Sequence, residues 1–271
     1  MDKIFIVLFF IILLFYFFNK ILSSKKKSIN EYFDNNINNQ NTEKPNIYFL
    51  NKNDLSNILS KDDDNYYKRF FDYDLYARNI KNIDEYKLKI QDSVVNLTIQ
   101  QKNKLIICCN IVDEKLKNIN FDGFDGVKAS SIMWKIGAIK GKSYENGLPH
   151  TRKYIIVLPI EKINLKTPEQ LCVLLCHEKI HVYQKKYKED IDKYLKKNNI
   201  TILKIREEKD MIRANPDLDN YIYTNNNNII YSAKYNSTKP SSIVDIQYNN
   251  DGTQSSEHPF EKMAIDIENL I

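Results

Sequence analysis

The chain has 271 residues, room for a membrane segment and one domain of ordinary size. Its formal net charge of +5 is modest, and with no basic stripe interleaved with aromatics nucleic acid is not expected as a partner. The four cysteines, Cys108, Cys109, Cys172 and Cys176, form an adjacent pair and a C-x₃-C, which fits neither a disulfide framework nor a zinc knuckle and agrees with a reducing compartment.

Residues 4–18 are an unbroken apolar run, long enough for a tilted or snorkelling membrane span over residues 1–22. Lys20, Lys25, Lys26 and Lys27 follow it, and no small-residue cleavage site is evident. An uncleaved single-pass anchor is therefore expected, with the domain on the cytoplasmic side; the alternative is a cleaved signal, with a secreted or virion-membrane protein. Residues 23–61 are polar and read as a tether, leaving the domain to residues 62–271. Residues 66–90 suggest helix, and Thr98 with Gln101 opens a stronger one carrying Leu105, Ile106, Cys109, Val112 and Leu116 on one side. Two Asp-Gly turns fall in residues 121–127, and residues 132–139 suggest a strand anchored by Trp134.

Residues 153–160, KYIIVLPI, are β-branched and aromatic enough for a strand, with His150 at its entrance. Residues 171–184 read LCVLLCHEKIHVYQ. Thr167 and Gln170 form a capping box, and Pro168 suits the first helical position, so the stretch is expected to be a buried helix. On that helix His177 and His181, four apart, share one face and can bind one metal ion, while Glu178 sits close enough to take a proton from water. Cys176 points about 100° away from the first histidine and reads as core.

His177-Glu178-Lys179-Ile180-His181 is an H-E-x-x-H pattern, and with the strand before it and a helix near the C-terminus it resembles the zincin metallopeptidases. The resemblance implies an α+β zincin-like domain with a small mixed sheet, zinc as cofactor, and hydrolysis of peptide or protein substrates. It also implies an edge strand just above the metal helix that pairs with extended substrate, a place the run 153–160 would take. Catalytic zinc normally takes three protein ligands. The metzincin continuation is absent after His181, and the gluzincin branch places the third ligand on a second helix. Pro259 at a first helical position, His258 as its N-cap, and Glu261 followed by Ala264 resemble that helix. Glu261 is the expected third ligand and His258 the alternative, with Asp266 or Glu257 holding a ligand imidazole. A hairpin over Tyr221, Tyr223 and residues 229–235 would fill the span between, and Asp217 and Asp219 read as turn residues.

The reading is a membrane-anchored zinc hydrolase, with His177, His181 and Glu261 as ligands and Glu178 as general base. His150, Tyr221, Tyr223 or Tyr231 would supply the oxyanion donor. The alternative is a non-catalytic structural membrane protein, such as a viral envelope component, that keeps the same fold.

Overall fold

The computed structural model describes residues 46–249 and 252–271. The expected anchor at 1–22 and the first part of the expected tether lie outside them. Among the described residues no helix is long and apolar enough to cross a membrane. The fold is α+β, with small mixed sheets.

The chain runs through β1 (Ile47–Phe49), α1 (Lys52–Lys61), α2 (Asp72–Ala77), α3 (Ile83–Ser93), β2 (Val94–Val95) and the long α4 (Ile99–Leu116). A hairpin of β3 (Asn120–Phe121) and β4 (Phe124–Asp125) turns through Asp122-Gly123, whereas the second Asp-Gly pair starts the short α5 (Gly126–Ser130) with Asp125 as N-cap. Then come β5 (Trp134–Ile139), β6 (His150–Arg152), β7 (Ile155–Pro159), α6 (Ile160–Leu165), α7 (Pro168–Lys186) and α8 (Lys188–Lys197). The strands β8 (Ile200–Ile205), β9 (Tyr221–Asn225), β10 (Ile230–Tyr231), β11 (Ala233–Tyr235) and β12 (Ile246–Tyr248) precede α9 (Pro259–Glu268). The expected hairpin is β9 and β10, and β8 pairs with it as a third strand.

The main sheet centres on β5, which pairs in parallel with β1 and β7 and antiparallel with β2. β6 turns back antiparallel along β7 and forms the edge. The expected strand at 153–160 is thus β7, and it is interior: all five of its residues are buried, as befits a strand covered on both faces. Alternation divides its side chains between two cores. Ile156 and Leu158 join Ile136, Leu105, Leu175 and Ile180 under α4 and α7, while Ile155 and Val157 join Leu55, Leu59 and Ile90 under α1 and α3.

The boundary expected at residue 61 lies too late. β1 is a sheet strand, and α1 buries Leu55 and Leu59, spaced one helical turn apart, with Asn51 accepting from the Asp54 N–H as N-cap. Gly137 on β5 allows this contact, because a Cβ there would lie 2.5 Å from a Leu55 methyl.

The loop after α1 ties down β6. Buried Arg152 bonds Asp62 Oδ1 at 2.8 Å and grips both Asp64 oxygens at 2.7 and 2.8 Å. Burial raises both acids, and for Asp62 it prevails; for Asp64 the Arg152 fork outweighs it and brings the carboxyl down to about 2. A depressed carboxyl contributes stability above its unfolded pKa, and that contribution disappears as pH falls through the folded value. Discounted for solvent screening of this partly exposed group, the stability difference between wild type and Asp64→Asn is expected to be about 1 kcal/mol at neutral pH and to shrink between about pH 4 and pH 2. Urea unfolding of both proteins across that range measures it, and a difference constant with pH would refute the assignment.

Candidate metal centre

Helix α7 starts with the expected capping box: the Thr167 hydroxyl accepts from the Gln170 N–H, Gln170 Oε1 accepts from the Thr167 N–H, and Pro168 stands at the first position. The helix is sandwiched between β6 and β7, α4, and α9. Its rotation is fixed by Lys179, whose buried ammonium bonds Asp113 Oδ1 at 2.5 Å and lies 3.9 Å from the Trp134 ring centroid, while the indole N–H donates to Asp113 Oδ2. With Lys179 directed into the core, His177 and His181 emerge together toward α9.

Three donors converge there. His177 Nε2 and His181 Nε2 are 3.0 Å apart, and the Glu261 oxygens lie 3.3 Å from the first and 3.7 Å from the second. Bonds of 2.0–2.1 Å to a tetrahedral ion place neighbouring donors about 3.3 Å apart, so the trio has the dimensions of a divalent-cation site. It is the one such group found among the described residues.

The surrounding hydrogen bonds support this arrangement. Gln184 Nε2 donates to the Phe260 carbonyl, which turns Gln184 Oε1 toward His181 Nδ1 at 2.9 Å and requires a proton on that nitrogen. His177 Nδ1 lies 2.9 Å from Glu268 Oε2 and carries a proton for the same reason. With the Nδ1 protons so placed, each imidazole turns its Nε2 toward the other and toward a carboxylate. Three lone-pair donors facing one another need a positive charge among them.

Among the protein's own groups that charge falls on His177. Burial pushes His177 down, but its hydrogen bonds to Glu261 and Glu268 outweigh that and raise it well above the usual histidine range. Burial lowers His181 and keeps it neutral. Glu261, buried to 1 % exposure, is raised by burial, yet the imidazoles of His181 and His177 hold it far below the usual carboxylate range. Gln254 Nε2 donates to one Glu261 oxygen at 2.7 Å and Asn215 Nδ2 to the other at 3.3 Å.

Glu268, rather than Asp266 or Glu257, holds an imidazole of the trio. Asp266 bonds Lys262 on the surface and Glu257 pairs with Arg213. Glu268 ends α9, where the helix dipole disfavours an acid, and its contact with His177 offsets that cost. Replacing Glu268 by Gln is expected to weaken metal affinity about 10–100-fold with little change in fold. Competition against a chromogenic chelator reads this; unchanged affinity would remove Glu268 from the site.

Glu178 is 2 % exposed beside the trio, in a cleft of about 430 Å³. Its Oε2 accepts from the Thr151 hydroxyl at 3.0 Å, and Oε1 faces no protein donor among the described residues. Burial first, and then the charge of Asp217, raise this carboxyl well above its usual range. The neighbouring strand position supplies the contact because side chains alternate: Thr151 leaves β6 toward α7, while His150 leaves on the other face.

His150 forms part of the cleft wall but is not positioned as an oxyanion donor. Its Nδ1 donates to the Leu148 carbonyl, which leaves Nε2 to accept from the Tyr144 hydroxyl at 3.2 Å. The loop before it is strained: Glu145, Asn146 and Gly147 all have positive φ, and the buried Arg78–Glu145 pair holds that conformation. Tyr221 and Tyr223 face a neighbouring cavity, and the Tyr223 hydroxyl donates to Asp219. His258 is the N-cap of α9, accepting from the Phe260 N–H and donating to Asp219, and it does not join the trio. Among the polar groups the cleft presents are Arg213, Asn215 and Tyr248, none singled out in the sequence. The cysteines are all buried in the core.

A scan against protein-family models, a search of curated proteins and a search of solved structures each returned no match.

Proposed function

We propose that this chain is a zinc-dependent hydrolase with a zincin-like fold, acting on peptide bonds or similar amides. The observation that carries the reading is a carboxyl group beside the trio: Glu178 lines the cleft, is held through Oε2 by Thr151, and has no protein donor on its other oxygen among the described residues. A structural metal site has no use for such a group. The nitrogen and oxygen donors suit zinc, and His177, His181 and Glu261 would hold it, leaving a position open. Bound there, zinc supplies Lewis acidity that polarises a carbonyl and acidifies water.

The protein's own groups complete the chemistry. Glu178 Oε1 takes the proton from the attacking water and passes it to the departing amine, a task suited to a carboxyl raised by burial. Thr151 keeps Glu178 from rotating away. Glu268 and Gln184 fix the histidine tautomers, so both Nε2 atoms stay available as ligands. Membrane anchoring through residues 1–22, with a cytoplasmic domain, remains part of the proposal.

Two measurements on the purified protein test it: metal content by elemental analysis, and digestion of a peptide mixture read by mass spectrometry. One zinc per chain with chelator-sensitive cleavage is expected. A metal-free protein that takes up no added zinc would end the proposal.

A further inference from the structure

An extended peptide is held beside a strand by the strand's outward N–H and C=O groups. On β6 those groups belong to Thr151, and both are already bound within the protein. The Thr151 N–H donates to Asp217 Oδ1 at 2.5 Å, and the Thr151 carbonyl accepts from Lys185 Nζ at 2.9 Å. Lys185 also donates to the Pro216 carbonyl at 2.7 Å, clamping residues 216 and 217 onto the strand. One residue earlier, Asn215 bonds the Glu261 carboxylate.

The clamp divides the space next to β6. On one side lies the cleft of about 430 Å³ with His177, Glu178 and Glu261. On the other is a cavity of about 500 Å³ walled by Lys185, Gln184 and Phe260. Pro216 and Asp217 belong to both walls. A peptide lying along β6 would need to pass through this partition and displace a carboxylate and an ammonium. Asp217 is only 8 % exposed, so its displaced charge would lose a strong bond with little water to replace it.

We infer that Asp217 and Lys185 set the size of the substrate: by closing the edge of β6 they confine the cleft to short peptides or comparably compact amides and exclude an extended polypeptide. The inference rests on the hydrolase reading above. The same closure also protects the exposed edge from pairing with other chains. The cleft's volume is in the range of small-ligand sites.

The test compares initial rates, per scissile bond, of the zinc-loaded full chain on a mixture of tri- to pentapeptides and on a reduced, carboxymethylated polypeptide. The short peptides are expected to be cut at least about tenfold faster. Lys185→Met and Asp217→Ala each free one edge group, and each is expected to reduce that preference several-fold; two variants are used because either substitution alone can disturb folding. Hydrogen exchange at the Thr151 amide reads the closure without catalysis, slow in wild type and faster in Asp217→Ala. Equal rates on both substrates, an unchanged preference in both folded variants, or fast exchange at Thr151 in wild type would each overturn the inference while leaving the hydrolase reading intact. If neither substrate is cut, the hydrolase reading has failed and this inference falls with it; slow exchange at Thr151 would then mark the closure as purely structural.

Discussion

Replacing Glu178 by Gln is expected to lower peptide hydrolysis by about 10²–10⁴-fold while zinc stays bound and the fold survives. The amide keeps the shape of the side chain and can still accept from the Thr151 hydroxyl, so packing in this buried place is retained. It cannot accept the proton of the attacking water. The amide also avoids the cost of ionising a carboxyl that is buried beside Asp217, so stability should be unchanged or slightly raised. Glu261→Gln separates the two carboxylate roles, because an amide is a poorer zinc ligand and metal affinity should fall together with rate. Near wild-type turnover in Glu178→Gln would exclude the mechanism and favour a scaffold over an enzyme.

The double variant His177→Ala/His181→Ala is expected to abolish metal binding and with it all metal-dependent stabilisation. A ligand at about a thousand times its Kd stabilises the folded state by about 4 kcal/mol, so wild-type protein titrated with zinc should show a rising unfolding midpoint and the variant none. The variant should also be less stable than metal-free wild type. Glu261 is almost fully buried and draws its compensating charge from His177, with His181 as a second polar partner, and the variant lacks both. Calorimetric unfolding with and without zinc gives both quantities, and a zinc-dependent midpoint in the variant would move the metal elsewhere.

The parts of this site that can be read from residue order are those governed by local rules. The capping box at Thr167, the four-residue spacing of the histidines and the Pro259 start of α9 depend only on near neighbours, and all three stand as expected. The carboxylate behind His177 needed the helical register as well. Glu268 lies seven positions beyond Glu261, nearly two full turns, and so shares its face; Asp266, five positions on, points well away. The edge strand is the short His150–Arg152 segment and not the β-branched run 153–160, which carries the stronger local signal. Five successive apolar residues, with no alternation, are the mark of an interior strand. The polar composition of α1 resembles a tether, and only Asn51 as cap and the Leu55–Leu59 spacing mark it as a helix. The closure of β6 by Asp217 and Lys185 had no local signature, since it joins residues separated by 66 and 34 positions.

The separation of the donors along the chain would make a bound ion a link between two helices. His177 and His181 share one helix, but Glu261 arrives on α9, about eighty positions later, and is locked from both sides by Gln254 and Asn215. A metal bridging α7 and α9 would act as a cross-link closing that long loop and would oppose the separation of the two helices. Opening of α9 away from α7, a local unfolding event, should then be rarer with metal bound than without. Amide hydrogen exchange in α9 should accordingly slow when zinc is added, and unchanged exchange would argue against the bridge.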